Sequence, residues 1–303
     1  MRLVLAPSPF AAARRGDPVR RAADLIASAG HQVQVVQPSS PDDYRKLVPE
    51  AARDADVVVA AGGDGTASLV ASSIVGTPAA LAILPLGRGN DLARTLGMRL
   101  DLPGAVEDIL TGRPRPVDLG YIEGTETTFV NICGIGFDAA VAERINRRRS
   151  WLSGATAYTA SLLAELARFR PPRLRLRLDD RTIETRAMLV AVANARSYGG
   201  GMCIAPAAQL DDGLLDVCVV EITSKAQFLA NFPKVFRGTH VRHPLVHCYR
   251  AKGVAVEGQE HAPVMVDGDL WGEAPVTFGL RPRALPLIVP PRPTTAFVEG
   301  EGP

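Results

Sequence analysis

The sequence predicts an open parallel α/β sheet followed by an antiparallel, β-rich unit, and three observations lead there. Short apolar runs alternate with helix-length segments through the first third of the chain. Glycine-rich loops, Gly62 to Thr66 and Gly87 to Asp91, stand at the ends of two of those runs. From Val117 onward the texture changes to short β-type runs bounded by turn residues, interrupted by one helix near Ala155 to Arg168.

Taken in order, Leu3-Val4-Leu5 reads as the first strand, Pro18 to Ala29 as a helix, and Val33 to Val36 as the second strand. A helix near Tyr44 to Arg53, a strand at Val57 to Ala60, a helix near Thr66 to Val75 and a strand at Leu81 to Leu84 complete the repeat. In such a sheet ligands gather at the carboxyl ends of the strands, where both glycine loops fall. The β-rich unit offers strands at Val117 to Ile122, Thr128 to Cys133, Arg173 to Leu178, Thr185 to Val192, Leu214 to Glu221, His247 to Val256, Val264 to Val266 and Val276 to Leu280. Arg113-Pro114-Arg115-Pro116 reads as a stiff link, which divides the chain into residues 1–117 and 118–303. The proline-rich tail from Pro282 either packs back on the first unit or hangs loose.

Composition narrows the function. The 303 residues carry a net charge of +2, so charge does not suggest wholesale nucleic-acid binding, and no nucleic-acid partner is expected. No apolar run approaches the roughly 20 residues of a bilayer span, and the start of the chain reaches Pro7 and Pro9 without a signal-type apolar segment, so the expected location is cytoplasmic. Cys133, Cys203, Cys218 and Cys248 show no CxxC spacing and read as reduced, buried thiols. His240, His243 and His247 have ligand-like spacing, but Pro244 breaks the helix that a metal site there would need.

The stretch Ala61-Gly62-Gly63-Asp64-Gly65-Thr66 carries the most chemistry. A β-branched strand runs into three glycines that let an anion approach the backbone, and the following helix offers unpaired N–H groups with the positive end of its dipole. Asp64 fits beside phosphates if Mg²⁺ lies between them, or if the acid orients a hydroxyl. The loop Pro85-Leu86-Gly87-Arg88-Gly89-Asn90-Asp91 repeats the arrangement, with Asn90 placed to bond a nucleotide or to fix the loop and Asp91 to cap the next helix. Either loop alone reads equally well as a tight strand-to-helix turn. Arg144, Arg147, Arg148 and Arg149 beside Trp151 and Leu152 suit either an anionic lipid surface or a solvated helix end.

These two loops together resemble the diacylglycerol kinase catalytic family, which includes bacterial soluble diacylglycerol kinases, YegS-like lipid kinases, and sphingosine and ceramide kinases. Further segments follow in family order: Asn131 to Ala139 resembles GxGxDA, Asn194 with Tyr198 to Gly201 resembles N…YGGG, Pro206 to Val217 resembles P-x-A-x-x-x-DG-x-LD, and Asp267-Gly268-Asp269 stands where the family has DGE. The resemblance implies a nucleotide-binding domain of the NAD kinase and phosphofructokinase type, a C-terminal β-sandwich for the lipid, and an active site between them. It implies ATP and Mg²⁺ as cofactors, a membrane lipid as substrate at the inner membrane face, and allows a homodimer. Asp267 becomes the general base and Asp269 the second carboxylate. Asp64 would reach the metal-bound nucleotide, while Gly62, Gly63, Gly65, Thr66, Gly87, Arg88, Gly89, Asn90 and Asp91 would hold its phosphates. A structural Mg²⁺ carries over to Asp212 with the carbonyls of Gln209 and Leu214. Three departures stand out: Ala6 to Phe10 lacks the asparagine and final glycine of NPxSG, Asp269 is one methylene shorter than glutamate, and Arg88 replaces threonine. They motivate an alternative, a catalytically weakened nucleotide-binding homologue. NAD kinase, which shares GGDGT and the two-domain plan, is the other; its second glycine-rich segment has no convincing match here.

Overall fold

The computed structural model describes residues 1–147, 164–258, 260–291 and 296–297. The β-branched runs form strands β1 (Arg2–Pro7), β2 (Gln32–Val35), β3 (Val57–Gly62) and β4 (Ala80–Pro85). They pair in parallel in the order β2-β1-β3-β4. β3 and β4 are buried along their whole lengths, as expected of parallel strands covered on both faces. Around them lie α1 (Pro9–Ala12), α2 (Pro18–Ser28), α3 (Pro41–Ala52), α4 (Asp64–Ile74), α5 (Asp91–Thr95) and α6 (Leu102–Thr111). Local sequence sets where most of them begin: Ser8, Asp17, Ser40 and Asp101 each cap a first turn through a side-chain oxygen, and a proline stands at the first or second helical position after each cap.

The stretch expected as a stiff link is a strand instead. β5 (Arg113–Ile122) runs unbroken into the second unit and pairs antiparallel with β15 (Val276–Val289) on both sides of an irregularity between Arg281 and Leu285. Prolines at 114 and 116 are tolerated because, among the described residues, this length of β5 has no second partner strand to serve. β15 outruns the expected strand by nine residues, since it ends at Val289 rather than Leu280, and Leu287 pairs in parallel with Leu81 of β4. Leu285, Leu287, Ile288, Val289, Ala296 and Phe297 belong to the core of the first sheet, so the tail packs back on it.

The second unit is built from β6 (Thr128–Phe129), β7 (Ile132–Gly136), β8 (Arg173–Leu178), β9 (Arg181–Ala193), β10 (Leu215–Glu221), β11 (Val246–Ala251), β12 (Gly253–Gly258), β13 (Pro263–Val266) and β14 (Asp269–Glu273). One sheet runs β14-β13-β7-β9-β10-β11 and the other β9-β8-β12-β15-β5-β6. The long β9 joins them: its first half pairs with β8 and its second with β7 and β10. Residues from both sheets make one apolar core, in which Phe129 meets Phe278 edge to face at 6.1 Å. The arginine-leucine alternation of β8 resolves into leucines in and arginines out. Helices here are α7 (Phe137–Arg147), α8 (residues 164–168) and α9 (Lys225–Asn231), followed by two 3₁₀ turns, Phe232–Arg237 and Thr239–Arg242. Residues 155–163 of the expected helix, and Arg148, Arg149, Trp151 and Leu152 of the basic cluster, lie outside the described residues.

Two expected strands are broken where backbone N–H groups serve a carboxylate. Thr128 to Cys133 is interrupted at Val130 and Asn131, whose N–H groups turn to Asp267. His247 to Val256 divides at Lys252, where Asp179 accepts from the N–H groups of Lys252 and Gly253. Cys133 and Cys218 are buried, whereas Cys203 is half-buried and Cys248 exposed, which corrects the expectation of four buried thiols. The three histidines do not converge: His240 donates to the Ile204 carbonyl, His243 accepts from Leu245 N–H, and His247 faces Glu221.

Candidate active site

The two glycine loops meet. At the end of β3, a Cβ on Gly62 would lie 2.3 Å from Thr66 Oγ1, and a Cβ on Gly87 would lie 2.4 Å from the Gly63 Cα. The N–H groups of Leu86 and Gly87 both donate to the Gly62 carbonyl at 3.0 Å. Asn90, with φ +54°, staples its own loop: its Oδ1 accepts from Gly87 N–H at 2.9 Å and its Nδ2 donates to the Gly87 carbonyl at 3.1 Å. Of the two readings offered for Asn90, the loop-fixing one describes this geometry.

Asp64 and Asp91 are also committed to structure. Asp64 Oδ1 accepts from Leu92 N–H at 2.9 Å and Asn131 Nδ2 at 3.1 Å, and its Oδ2 accepts from Asp91 N–H at 3.1 Å. It therefore caps α5 from another helix and fastens the β-rich unit to it, filling three of about four acceptor positions. Asp91 does not cap α5; its carboxylate accepts from the N–H groups of Gly200 and Gly201 at 2.8 and 2.6 Å. Burial raises its pKa, opposed by the Gly200 hydrogen bond. The YGGG turn is thus an anion-binding nest whose anion is a buried side chain.

The first turn of α4 stands apart. It starts at Gly63 with no side-chain cap, whereas α1, α2, α3, α6 and α9 are each capped by a serine or aspartate. Its N–H groups and the positive end of an eleven-residue helix remain available to an anion. Asp269 faces this turn: a Cβ on Gly65 would lie 2.8 Å from Asp269 Oδ2. Burial of its carboxyl group raises its pKa.

Asp267 sits in the hairpin between β13 and β14. Asp267 and Gly268 have φ of +45° and +95°, the two-residue turn that Asp-Gly favours. Its carboxylate is buried and turned inward. Oδ1 accepts from Asn131 and Ile132 N–H at 3.0 and 2.8 Å; Oδ2 accepts from Val130 N–H at 2.9 Å and from the Ser68 hydroxyl on α4. Burial pushes its pKa up to about 6, with the Ser68 and backbone hydrogen bonds opposing. Among the described residues Ser68 is its single side-chain donor and hence the one a ligand hydroxyl can replace. Gly65, Ser68, Asp267, Asp269 and Trp271 line a cleft between α4 and the hairpin.

The acidic loop holds Asp212 and its neighbours in hydrogen bonds and ion pairs. Asp212 Oδ1 accepts from Leu214 N–H at 3.0 Å, and its Oδ2 carries the Arg250 guanidinium, which also reaches Asp216 at 3.6 Å. Asp211 pairs with Arg115 at 3.3 Å, and Arg115 stacks over Phe297. Burial raises the Asp216 pKa to about 6, with Arg196 opposing. Among the described residues no three histidine, cysteine or acidic side chains are placed to hold a metal. Arg250 thus brings a positive charge to Asp212; the expected metal set is this one carboxylate with the main-chain carbonyls of Gln209 and Leu214. Arg250→Met is expected to cost about 1–2 kcal/mol, discounted for the half-exposed arginine, and to lower the melting temperature by a few degrees. Scanning calorimetry of the variant beside wild type checks this.

Sequence reasoning missed Asp118. Fully buried in β5, it accepts from Gly213 N–H and Arg283 N–H, each at 2.7 Å, and so holds the acidic loop against the bend of β15. One charged residue inside the apolar run Val117 to Ile122 was the signal. An apolar pocket lies between α7 and the segment around α9; Phe137, Val141, Leu189, Phe228, Phe232 and Val235 are among its lining. Asp138 stands in its wall, its pKa raised to about 6 by burial and opposed by bonds from Ala139 N–H and Tyr198.

Comparison with known proteins agrees with this layout. Residues 8–122 match the diacylglycerol kinase catalytic domain family, and residues 131–289 match the YegS C-terminal NAD kinase beta sandwich-like domain. A diacylglycerol kinase of Mycobacterium tuberculosis is 37% identical over 91% of each chain, and a YegS-like lipid kinase of Pseudomonas aeruginosa is 30% identical over 90% of this chain and 89% of that protein. A crystal structure of a diacylglycerol kinase from Bacillus anthracis shares the fold with a TM-score of 0.72 at 24% identity, over 96% of this chain and 97% of that one. Fold and relatives define the class: a kinase, hence a transferase. The chain belongs to the diacylglycerol kinase family.

Proposed function

We propose that the chain transfers the γ-phosphoryl group of MgATP to a hydroxyl of diacylglycerol or a related lipid. The observation that carries this reading is the uncapped α4 N-terminus facing Asp267 and Asp269 across one cleft. The phosphates lie on the N–H groups of Gly63 to Thr66, with the Gly87 to Asp91 loop behind them. Bound Mg²⁺ supplies charge neutralisation, and Asp269 is the carboxylate with room to meet it. The lipid hydroxyl takes the place of Ser68 at Asp267 Oδ2. Asp267 accepts its proton as the oxygen attacks the γ-phosphorus, ADP leaves, and the proton passes to solvent. With a pKa of about 6, Asp267 is ionised at neutral pH and still basic enough to serve. The apolar pocket beside α7 offers space for an acyl chain. Among the described residues no helix is long and apolar enough to cross a membrane.

The test is transfer of labelled γ-phosphate to diacylglycerol, phosphatidylglycerol and sphingosine in mixed micelles, with NAD as a parallel acceptor. Labelled lipid is the expected product. Label on NAD replaces the lipid with a nucleotide acceptor, and ATP binding without transfer to any acceptor turns the reading into that of a weakened homologue.

A further inference from the structure

The segment from Ile222 to Leu245 combines three properties that ordinary soluble surfaces keep apart. It contains no aspartate or glutamate, yet carries Lys225, Lys234, Arg237 and Arg242. Ile222, Leu229 and Phe236 expose 49%, 38% and 50% of their surface, a third of the nine large apolar side chains exposed among the described residues. α9 buries none of its residues, although Phe228 and Leu229 lie side by side on it. Its inner side and the following turn give Phe228, Phe232 and Val235 to the apolar pocket. The outer side turns Leu229 and Phe236 to solvent.

A helix with a single apolar face would be explained by the core beneath it. Apolar side chains on both sides of a thin pocket wall mean that the outer side has an apolar partner of its own. The charge identifies it. Lysines and arginines around exposed aliphatic and aromatic residues, with no acid among them, complement an anionic surface that has hydrocarbon just below it. We infer that the Ile222–Leu245 segment is the face by which the protein docks on an anionic lipid bilayer, setting the mouth of the acyl pocket against the membrane. The inference rests on the lipid-kinase reading. Of the arginines at 144–149, Arg144 is paired with Glu165 at 3.2 Å.

Sedimentation with vesicles of phosphatidylglycerol and phosphatidylcholine tests it. Two variants are compared with the wild-type chain, Leu229→Ser with Phe236→Ser, and Lys234→Glu with Arg237→Glu and Arg242→Glu. None of these residues lines the pocket or the cleft. The wild-type chain is expected to bind anionic vesicles and to lose that binding at high salt. Each variant is expected to bind at least about tenfold more weakly while keeping its melting temperature and its turnover of a water-soluble, short-chain diacylglycerol. Equal vesicle binding by wild type and both variants overturns the docking face. So does a dimer in analytical ultracentrifugation that the variants dissociate in the absence of any vesicle binding, since a second copy would then be the partner. Absence of short-chain turnover in every protein strikes the kinase reading instead, and the vesicle data still decide the docking face.

Discussion

Asp267→Asn is expected to lower phosphoryl transfer by about 10²–10⁴-fold while leaving ATP binding within a few-fold of wild type. The carboxylate is the acceptor for the lipid proton in the proposed reaction, and the loose transition state keeps the loss smaller than that of a covalent catalyst. Nucleotide binding depends on the α4 turn, which Asp267 meets only through Ser68. The wild-type pH profile carries an independent signature. Burial raises Asp267 to about 6, so turnover is expected to fall about tenfold per unit below pH 6 and to level off above it. The stability contribution runs the other way. A carboxyl raised above its unfolded value holds its proton more tightly when folded, so its charged form penalises the fold above pH 6. That penalty fades as pH falls from 6 toward 4. Asp138 and Asp216, also near 6, act in the same direction. Rate and melting temperature measured across pH 5 to 8 therefore separate catalysis from stability. A pH-independent rate, or an asparagine variant at full activity, removes Asp267 from the base role.

Gly87→Ala is expected to abolish measurable ATP binding and to destabilise the fold by about 1–3 kcal/mol. The added methyl would stand 2.4 Å from the Gly63 Cα and 2.9 Å from the Gly63 nitrogen. Backbone, unlike the end of a long side chain, cannot step aside, so the β3 and β4 loops must part. Parting them moves the phosphate-facing N–H groups and breaks the Gly87 bonds to Gly62 and Asn90 together. Gly124→Ala serves as the control, because no atom lies within 4 Å of where its methyl would be; its φ of +74° makes it strained but not crowded. Calorimetric titration with MgATP, beside thermal melts of both variants, distinguishes crowding at the site from general glycine replacement.

Most of the first sheet was legible because its signal is local. The runs Val57 to Ala60 and Leu81 to Leu84 are apolar and bounded by glycine turns, and they appear as buried strands within two residues of the expected ends. The glycine loops were legible for the same reason: a close approach of two backbones leaves its mark in residue type. What the carboxylates do was not legible, since an aspartate that caps a distant helix and one that meets a ligand look alike in sequence. Asp64 and Asp91 spend their oxygens on N–H groups 27 to 110 residues away. The link at Arg113 to Pro116 was misread because proline normally argues against a strand, and the partner that makes it one, β15, lies more than 160 residues later. Asp118 was passed over because its two donors come from residues 213 and 283.

The return of β15 to the first sheet has a consequence for synthesis. β4 ends at Pro85, and the segment of β15 that adjoins it begins at Leu285, so 200 residues separate the two. At about 5–20 residues per second, a ribosome needs about 10–40 s to cover that distance. During that interval the nascent nucleotide half has β4 as an open edge and lacks the leucines that close its core. β15 is thus a latch, and the apolar core of the nucleotide half stays incomplete until synthesis has passed Val289.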